Sequence, residues 1–449
     1  MNTLFAAVDN MTTTDNGMVA YKSTLNPLVD LFMKIGASRE TNLDKELWQA
    51  LLFDKDKALR ILLWARDIRG GAGERKRFRD MAVMLSKSLD KDTMVKIINK
   101  VPEIGRYDDL HVFVGTDYEQ IALSLHLEGI KAGNGLAAKW APRKGTIADK
   151  MRTLWGVSPK FYRKTIVGLT KVVEQQMCAN EWSDIDFSHV PSQASRIYAN
   201  AFKKHEEQRY TDYLDKVMSG EEKMNASATF PHEVLKGVNK NPEQADAQWK
   251  SLPNYLEGVK ESILPICDVS GSMSGVPMEI SVALGLYFSE RLEGVFKDCV
   301  VTFSEQPKML KLSGGSLSQR VQEIKGIHWG MSTNFEAVFD MILSAAKRHS
   351  ISESDMPTKL LVLTDMQFNQ ASNFTAFEMV EEKYKAAGYK MPSLVFWNIN
   401  GGTSPTTFNQ KGVGLVSGSS PSTIKAVLGG DIDPVRIMEN AIMQDKYKL

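Results

Sequence analysis

Cysteine is scarce in this chain: Cys178, Cys267 and Cys299 are the three present among 449 residues, and they stand far apart. Such spacing argues against a disulfide framework and against a structural zinc site. No run of about 18 uncharged apolar residues occurs, so we expect no membrane span and no membrane partner. The first ten residues lack a basic stretch followed by a long apolar core. We therefore expect no secretory signal and a reducing, cytoplasmic location.

Sequence motifs of catalysis are also missing. The seven histidines include no H-E-x-x-H or similar spacing. The glycine-rich stretch at residues 70–73 is not followed by the Lys-Ser or Lys-Thr pair that closes a nucleotide-binding P-loop. Ser270 and Ser272 have no evident His–Asp partners, and Cys267 falls inside a predicted buried strand. We expect a binding protein and not an enzyme.

Length and composition indicate a folded protein with more than one domain. A chain of 449 residues exceeds what one ordinary core holds, and 43% hydrophobic with 24% charged residues is typical of globular proteins. The net charge of +1 excludes a polycation. A change in sequence pattern predicts two domains, residues 1–255 and 256–449. The polar residues 239–253, which include two prolines, are predicted to link them.

The first half is predicted to be helical after a loose polar arm of about 20 residues. Apolar residues recur at three- and four-residue spacing over residues 27–35, 43–52 and 56–69, and further helices are predicted as far as residue 176. Turns marked by glycine or proline separate them. No fixed period is present, so a regular repeat is not indicated. We expect an all-α, helical-repeat-like domain, either a HEAT-like solenoid or a ring.

The second half alternates apolar strands with amphipathic helices. This order predicts an α/β domain with a doubly wound, mostly parallel sheet. The predicted strands lie at residues 263–268, 299–304, 308–312, 359–365, 394–398 and 413–417.

Oxygen-bearing side chains follow the first of these strands. Asp268, Ser270 and Ser272 come directly after an apolar run, where the carboxyl end of a strand meets a glycine-rich turn. Open α/β sheets bind ligands at this edge. One carboxylate and two hydroxyls are hard ligands that suit Mg²⁺ or Mn²⁺ better than zinc. The alternative interpretation is a hydroxyl-rich turn without a ligand.

Two later positions favour the metal interpretation. Thr333 lies in a loop before a predicted helix, and Asp365 ends another predicted buried strand. The order Asp-x-Ser-x-Ser, loop threonine and strand-end aspartate resembles a von Willebrand factor A domain. That family has a Rossmann-like fold and a metal-ion-dependent adhesion site. The resemblance implies that one Mg²⁺, Mn²⁺ or Ca²⁺ ion is held by Asp268, Ser270, Ser272, Thr333 and Asp365, and that a position stays open for a partner's acidic oxygen.

One departure from that family follows the second aspartate. Met366 and Gln367 stand where many members have glycine, which predicts narrower access to the metal. An aspartyl-phosphate phosphatase is a competing interpretation of Asp268. It is disfavoured because such enzymes need a second carboxylate two residues on, and this chain has Ser270 there.

Two basic segments are candidates for binding phosphate or RNA. Clustered arginines beside a glycine-rich turn predict a phosphate-binding corner, and basic residues mixed with aromatic ones predict phosphate contacts with base stacking. The alternatives are a solvated helix face for the first segment and tryptophans in a helical core for the second. The candidates are Arg66, Arg69, Arg75, Lys76, Arg77 and Arg79 in the first segment, and Lys139, Arg143 and Lys144 in the second.

The first half carries a resemblance of its own. Residues 64–75, 101–110 and 136–143 resemble an uncharacterised family found in phages, large viruses and plants. Its architecture, a helical region before an A domain, is similar to that of the Ro autoantigen (TROVE) proteins. The resemblance implies a non-catalytic scaffold that binds small structured RNA. The alternative is an adaptor that grips a partner's carboxylate through the metal, without RNA.

Overall fold

The secondary structure changes near residue 262: helices predominate before it, and strands alternate with helices after it. The computed structural model describes residues 9–37, 42–170, 172–302, 307–326, 335–368, 375–408, 410–428 and 432–449. Within these ranges, no helix is both long enough and apolar enough to cross a membrane.

A short hairpin stands where the sequence predicts a loose arm. Strands β1 (Met11–Thr13) and β2 (Val19–Tyr21) pair antiparallel. The predicted arm is therefore wrong for residues 9–21. Met18 and Ala20 explain the order of this segment, because both side chains are buried in the protein.

The predicted helical character of the first half is confirmed. Asn26 caps the first helix by accepting from the backbone N–H groups of Leu28 and Val29, and Pro27 occupies the first helical turn. The α-helices are α1 (Pro27–Ile35), α2 (Asp44–Phe53), α3 (Lys55–Arg66), α4 (Arg75–Leu85), α5 (Lys91–Ile104), α6 (Glu119–Lys131), α7 (Gly135–Trp140), α8 (Thr146–Trp155), α9 (Pro159–Thr170), α10 (Val173–Cys178), α11 (Ser192–His205), α12 (Glu207–Ser219), α13 (Pro231–Leu235) and α14 (Pro242–Lys250). Short 3₁₀ helices lie at Tyr107–Phe113, Trp182–Asp184 and Phe187–His189.

The predicted linker at residues 239–253 is wrong. It contains α14, which starts at Pro242, a residue that is favourable in the first turn of a helix. The indole N–H of Trp249 donates to Glu290 at 2.7 Å, and Arg291 donates to the Trp249 carbonyl at 2.9 Å. Polar composition suggested a linker, but Trp249 of this segment is bound to Glu290 and Arg291 in the second half of the chain.

The second half forms a mixed six-stranded sheet with helices, as predicted for an α/β region. The strand order is β5-β4-β3-β6-β7-β8, and every pairing is parallel except the antiparallel pair β4 and β5. All residues of β3 and β6 are buried, which explains their continuous apolar runs. The strands are β3 (Ile263–Cys267), β4 (Cys299–Thr302), β5 (Lys308–Lys311), β6 (Lys359–Thr364), β7 (Ser393–Asn398) and β8 (Val413–Ser417).

Helices alternate with these strands. Helix α15 follows β3 and is buried along most of its length. The α-helices of this half are α15 (Val276–Arg291), α16 (Leu317–Lys325), α17 (Phe335–His349), α18 (Thr375–Ala386) and α19 (Pro434–Ile442). Short 3₁₀ helices lie at Gly271–Met273, Glu353–Asp355, Pro421–Val427 and Asp445–Tyr447.

The largest apolar cluster joins the first helices to the sheet. It extends from Met18 to Tyr447 and includes residues of α1 to α5 together with all the central strands. Gly36, just after α1, lies so close to Gly418 that an added Cβ would approach its Cα to 2.5 Å. The Ser417 hydroxyl donates to the carbonyl of Phe32 at 3.2 Å and accepts from the N–H of Gly36 at 3.1 Å. The end of β8 and the end of α1 therefore touch through backbone.

The remaining helices form two smaller apolar clusters. One contains side chains of α6 to α9, and the other contains side chains from Val173 to Ala247. The division into domains at residues 255 and 256 stays a prediction, as does the arrangement of the helices in a solenoid or a ring.

Candidate metal centre at the carboxyl edge of the sheet

The two candidate aspartates lie at the ends of neighbouring strands. Strands β3 and β6 are parallel, with Cys267 opposite Leu363. Asp268 follows β3 and Asp365 follows β6, so both side chains reach the same edge of the sheet. The backbone N–H of Asp268 donates to the Leu363 carbonyl at 2.9 Å and extends the pairing to the site itself.

Asp268 is fully buried and held by two donors. Its Oδ1 accepts from the backbone N–H of Ser270 at 2.9 Å, and its Oδ2 accepts from the Thr364 hydroxyl at 2.7 Å. Thr364, a strand-end residue, was not among the predicted ligands. The structure gives it the role of orienting Asp268.

The two serines lie around a 3₁₀ turn, Gly271–Met273, that follows the motif aspartate. The hydroxyls of Ser270 and Ser272 are 3.1 Å apart. The hydroxyl of Ser272 also lies near enough to the carboxylate of Asp365 to lower its pKa, so the turn approaches the second strand end. Asp268, Ser270, Ser272 and Asp365 thus lie together at one edge of the sheet. Thr333 lies outside the described residues.

The electrostatics of the cluster favour a bound cation. Burial and the nearby charge of Asp365 together raise the pKa of Asp268 to about 6. Burial also raises the pKa of Asp365, although the hydroxyl of Ser272 and the N–H of Gln367 oppose the shift. Two buried carboxylates side by side repel each other when ionised, and a divalent ion between them would remove that cost.

The chemistry of the donors fits a hard cation. Within the described ranges, no group of three or more His, Cys, Asp or Glu side chains is placed to hold a metal. The cluster instead supplies two carboxylates and two hydroxyls, and all of its donors are oxygen atoms. Oxygen ligands of this kind suit Mg²⁺, which usually keeps several of its water molecules.

The first basic segment divides between interior and surface. Arg66 is 1% exposed, and its Nε donates to Asp109 at 2.7 Å. Arg77 is also buried. These two side chains lie inside the protein and do not present their charge to solvent. Arg69, Arg75 and Lys76 are exposed, although Lys76 pairs with Asp80.

Arg106 connects the two basic segments and was missed as a candidate. Its guanidinium lies 3.6 Å from the centre of the Trp140 ring, in a cation–π contact. Arg79 and Arg106 both bind Asp108, so these two guanidinium groups are close together. Burial lowers the pKa of Arg75, and the charges of Arg106 and Arg79 lower it further. The residue lies in the 101–110 motif that the sequence offered only as a mark of family resemblance.

The second basic segment surrounds the same tryptophan. Lys139 has its Nζ 5.7 Å from the centre of the Trp140 ring and is half-buried. Arg143 and Lys144 are exposed in the turn before α8. Asp108 and Asp109 balance part of the arginine charge, because Arg79 and Arg106 both bind Asp108 and Arg79 also binds Asp109. These contacts define a surface formed by Arg75, Arg79, Arg106, Lys139 and Trp140, named here the Arg106 surface.

The fold is that of an α/β protein with an N-terminal helical region, and a cluster of oxygen-bearing side chains lies at the edge of its sheet. Residues 262–447 match a family model described as a domain of unknown function (DUF7788). Residues 14–89 and 157–261 match a second domain of unknown function (DUF2828). The first of these matches begins one residue before β3 and covers the whole sheet.

A viral protein is similar along nearly the full chain. The uncharacterized protein L728 of Acanthamoeba polyphaga mimivirus is 29% identical over 489 residues, which cover 94% of this chain and 85% of the viral protein. This similarity agrees with the expected resemblance to an uncharacterised family that has members in large viruses.

Proposed function

We propose that the chain is a non-catalytic binding scaffold whose sheet edge holds a divalent metal ion in a von Willebrand factor A-like adhesion site. The observation that carries the proposal is the meeting of buried Asp268 and Asp365 with the hydroxyls of Ser270 and Ser272. A mostly parallel sheet, with this motif after a central strand, supports the same assignment.

Each residue of the site would either coordinate the metal ion or orient a ligand. Asp268, Ser270, Ser272 and Asp365 would hold the ion, with Thr333 as the fifth ligand implied by the family resemblance. A bound Mg²⁺, Mn²⁺ or Ca²⁺ ion supplies an electrophilic centre for the acidic oxygen of a partner protein. Thr364 and the N–H of Ser270 keep the Asp268 carboxylate in place, which is the usual task of groups that hydrogen-bond to a ligand.

Titration calorimetry of the full chain with Mg²⁺ and Mn²⁺ tests this proposal. We expect the wild type to bind one ion, and we expect Asp268→Asn and Ser270→Ala to weaken binding at least tenfold. Asp117→Asn, which removes one charge from an exposed position on the helical part, is the matched control and keeps wild-type affinity. A wild-type chain that binds neither ion overturns the proposal.

The Arg106 surface supports a second candidate function, binding of a small structured RNA. Arg106 packs over the ring of Trp140, and its charge and that of Arg79 act on Arg75, which joins clustered positive charge to an aromatic ring. RNA-binding surfaces combine phosphate contacts with stacking in this way. The similarity to Ro-like architecture adds an analogy at the level of fold.

RNA retention measured against salt concentration tests this second function. The variants Arg75→Ala and Arg106→Ala avoid the buried Arg66 and Arg77, so loss of folding does not imitate loss of binding. We expect each to weaken binding to a short RNA hairpin and to reduce its salt dependence, because fewer counterions are released. Lys347→Ala, an exposed residue on α17, is the control. Equal binding by the control and both arginine variants overturns the RNA proposal.

A further inference from the structure

The loop after β6 is held from outside the sheet by the turn between β1 and β2. The Thr14 hydroxyl donates to the carbonyl of Phe368 at 2.7 Å in a buried contact. The backbone N–H of Asp15 donates to Oε1 of Gln367 at 2.9 Å, and Nδ2 of Asn16 donates to the carbonyl of Gln367 at 2.7 Å. Three successive residues of the turn therefore bind two successive residues of the loop.

The hairpin is also anchored apart from this loop. Met18 and Ala20 are each 1% exposed, so the hairpin contributes side chains to the protein interior. The backbone groups of Tyr21 and Ser404 exchange two hydrogen bonds of 2.9 Å, and Ser404 lies after β7. The N–H of Phe408 donates to the carbonyl of Thr24 at 2.9 Å. The hairpin thus lies across the carboxyl ends of two neighbouring strands.

Gln367 connects this hairpin to the candidate metal ligand. Its side chain and carbonyl bind the turn, and its backbone N–H donates to Oδ1 of Asp365 at 3.1 Å. Met366, between them, has a φ of 65°, in the left-handed region that non-glycine residues rarely adopt. Its side chain is buried, and its N–H donates to the Thr364 hydroxyl at 3.1 Å. The loop conformation depends on contacts at both ends.

We propose that the turn of the N-terminal hairpin is a positioning element of the metal site. Residues 14–16 fix the loop at Gln367, and the backbone N–H of Gln367 in turn orients the carboxylate of Asp365. Asp15 adds a second contribution, because it binds Gln367 through its backbone N–H and carries an exposed, negatively charged side chain. The inference rests on the proposed metal-binding function. It also accounts for Gln367, which follows a position where the von Willebrand factor A family often has glycine.

The positioning role has a physical basis in the geometry of carboxylate ligands. A metal site binds its ion more weakly when a carboxylate ligand is free to rotate. Groups that hydrogen-bond to a ligand typically contribute about 10- to 100-fold to metal affinity. Asp365 receives such a bond from a backbone N–H whose own position is set by the hairpin. Loosening the hairpin contact should therefore weaken metal binding without removing any ligand.

The test compares two substitutions at Gln367 in the full chain. Gln367→Leu removes the acceptor for Asp15, and we expect Mn²⁺ and Mg²⁺ to bind about tenfold more weakly by calorimetry. Gln367→Glu keeps an acceptor oxygen at the same place, so we expect it to retain at least wild-type affinity. Gln120→Leu, an exposed glutamine on α6, is the matched control. Melting curves in EDTA show whether each variant is folded before metal is added.

The charge contribution is tested separately with Asp15→Asn. This change keeps the backbone N–H that binds Gln367 and removes only the charge. We expect about three- to tenfold weaker binding of a divalent ion, because one negative charge is lost from the turn that binds Gln367. Asp117→Asn is the control. A parallel variant, Asn16→Ala, removes one hairpin contact at an exposed position and is expected to weaken binding as well.

The outcomes separate this inference from the proposed function. Wild-type binding together with equal affinity in Gln367→Leu, Asn16→Ala and Asp15→Asn overturns the role of the hairpin and leaves the metal site standing. No binding by the wild type overturns both. If Gln367→Leu is unfolded in EDTA, the affinities of Asn16→Ala and Asp15→Asn decide alone.

Discussion

The Nε of Arg66 and a carboxylate oxygen of Asp109 are 2.7 Å apart, and neither side chain reaches solvent. Arg79 donates to the second oxygen of the same carboxylate at 2.7 Å, and the backbone N–H of Arg106 donates at 2.9 Å to the oxygen that Arg66 binds. Asp109 therefore ties the end of α3 to α4 and to the 3₁₀ helix that carries it. The arginine that sequence spacing assigned to phosphate is part of this internal network.

Replacing Arg66 with methionine should destabilise the protein strongly. The change leaves Asp109 buried with fewer partners, and loss of one member of a buried ion pair costs about 3–5 kcal/mol. Urea unfolding measures the effect. Lys76→Met is the control, because Lys76 and Asp80 form an exposed pair worth about 0.2–1 kcal/mol. Equal losses in the two variants would contradict the structural role of Arg66.

The pair of His111 and His126 should make stability depend on pH. The ring nitrogens His111 Nε2 and His126 Nδ1 are 3.0 Å apart, and His126 Nε2 donates to the Ala137 carbonyl at 2.8 Å. Burial lowers the pKa of His111 to about 4, and it lowers that of His126 as well. Both pKa values are depressed, so their contribution to stability is complete above pH 6.5 and is lost as the pH falls towards 4.

The expected size of this effect follows from the His111 shift. Between pH 7.5 and pH 5 the wild type should lose about 2 kcal/mol through His111. His111→Gln keeps a donor for His126 but does not titrate, so its stability should fall less over the same range. Urea unfolding at both pH values gives the comparison, with His349→Gln, an exposed position, as control. Parallel losses in the wild type and His111→Gln would refute the assignment.

Gly36→Ala should destabilise the contact between helix α1 and strand β8. Its new Cβ would meet the backbone of Gly418 at 2.5 Å, and overpacking of this kind costs about 1–3 kcal/mol. Gly168→Ala is the control, since Gly168 lies in α9 with no atom within 4 Å of the added Cβ. That change should be neutral or should stabilise the protein by up to about 1 kcal/mol through helix propensity. A melting temperature unchanged by Gly36→Ala would argue against close contact of α1 and β8.

Tyr447→Phe should loosen the C-terminal segment from α3. The Tyr447 hydroxyl donates to Asp67 at 2.8 Å, and Lys446 binds the same carboxylate oxygen at 2.6 Å. Burial opposes ionisation of Asp67, but these contacts and the N–H of Arg69 still lower its pKa. Loss of one bond to a charged group costs about 1.5–3 kcal/mol, measured by urea unfolding. An unaltered free energy of unfolding would contradict this contact.

The sequence predicted the bounds of an element well where the residues of that element alone determine its structure. The apolar runs of β3 and β6 predicted their strands to within one residue, because a strand buried on both faces must be apolar throughout. Proline did not mark the end of helix α5, which carries Pro102 in its last turn and continues to Ile104.

The candidate site was partly predictable for the same reason. Asp268, Ser270 and Ser272 stand within five residues, and Asp365 could be placed beside them because parallel strands end at one edge. Thr364 and Gln367 were not chosen as site residues, since their roles depend on which side chains face them.

The sequence by itself determined the helical first part, the alternating strands and helices of the second part, and the oxygen-bearing side chains at the edge of the sheet. These follow from periodicity and from the ends of parallel strands, which are local properties. Only the tertiary structure decided that Arg66 is buried against Asp109 and that Trp249 binds Glu290. It also decided that the N-terminal hairpin hydrogen-bonds to the loop beside Asp365. The physical reason is that burial and hydrogen bonding depend on partners between 41 and 354 residues away, and no local pattern encodes those distances.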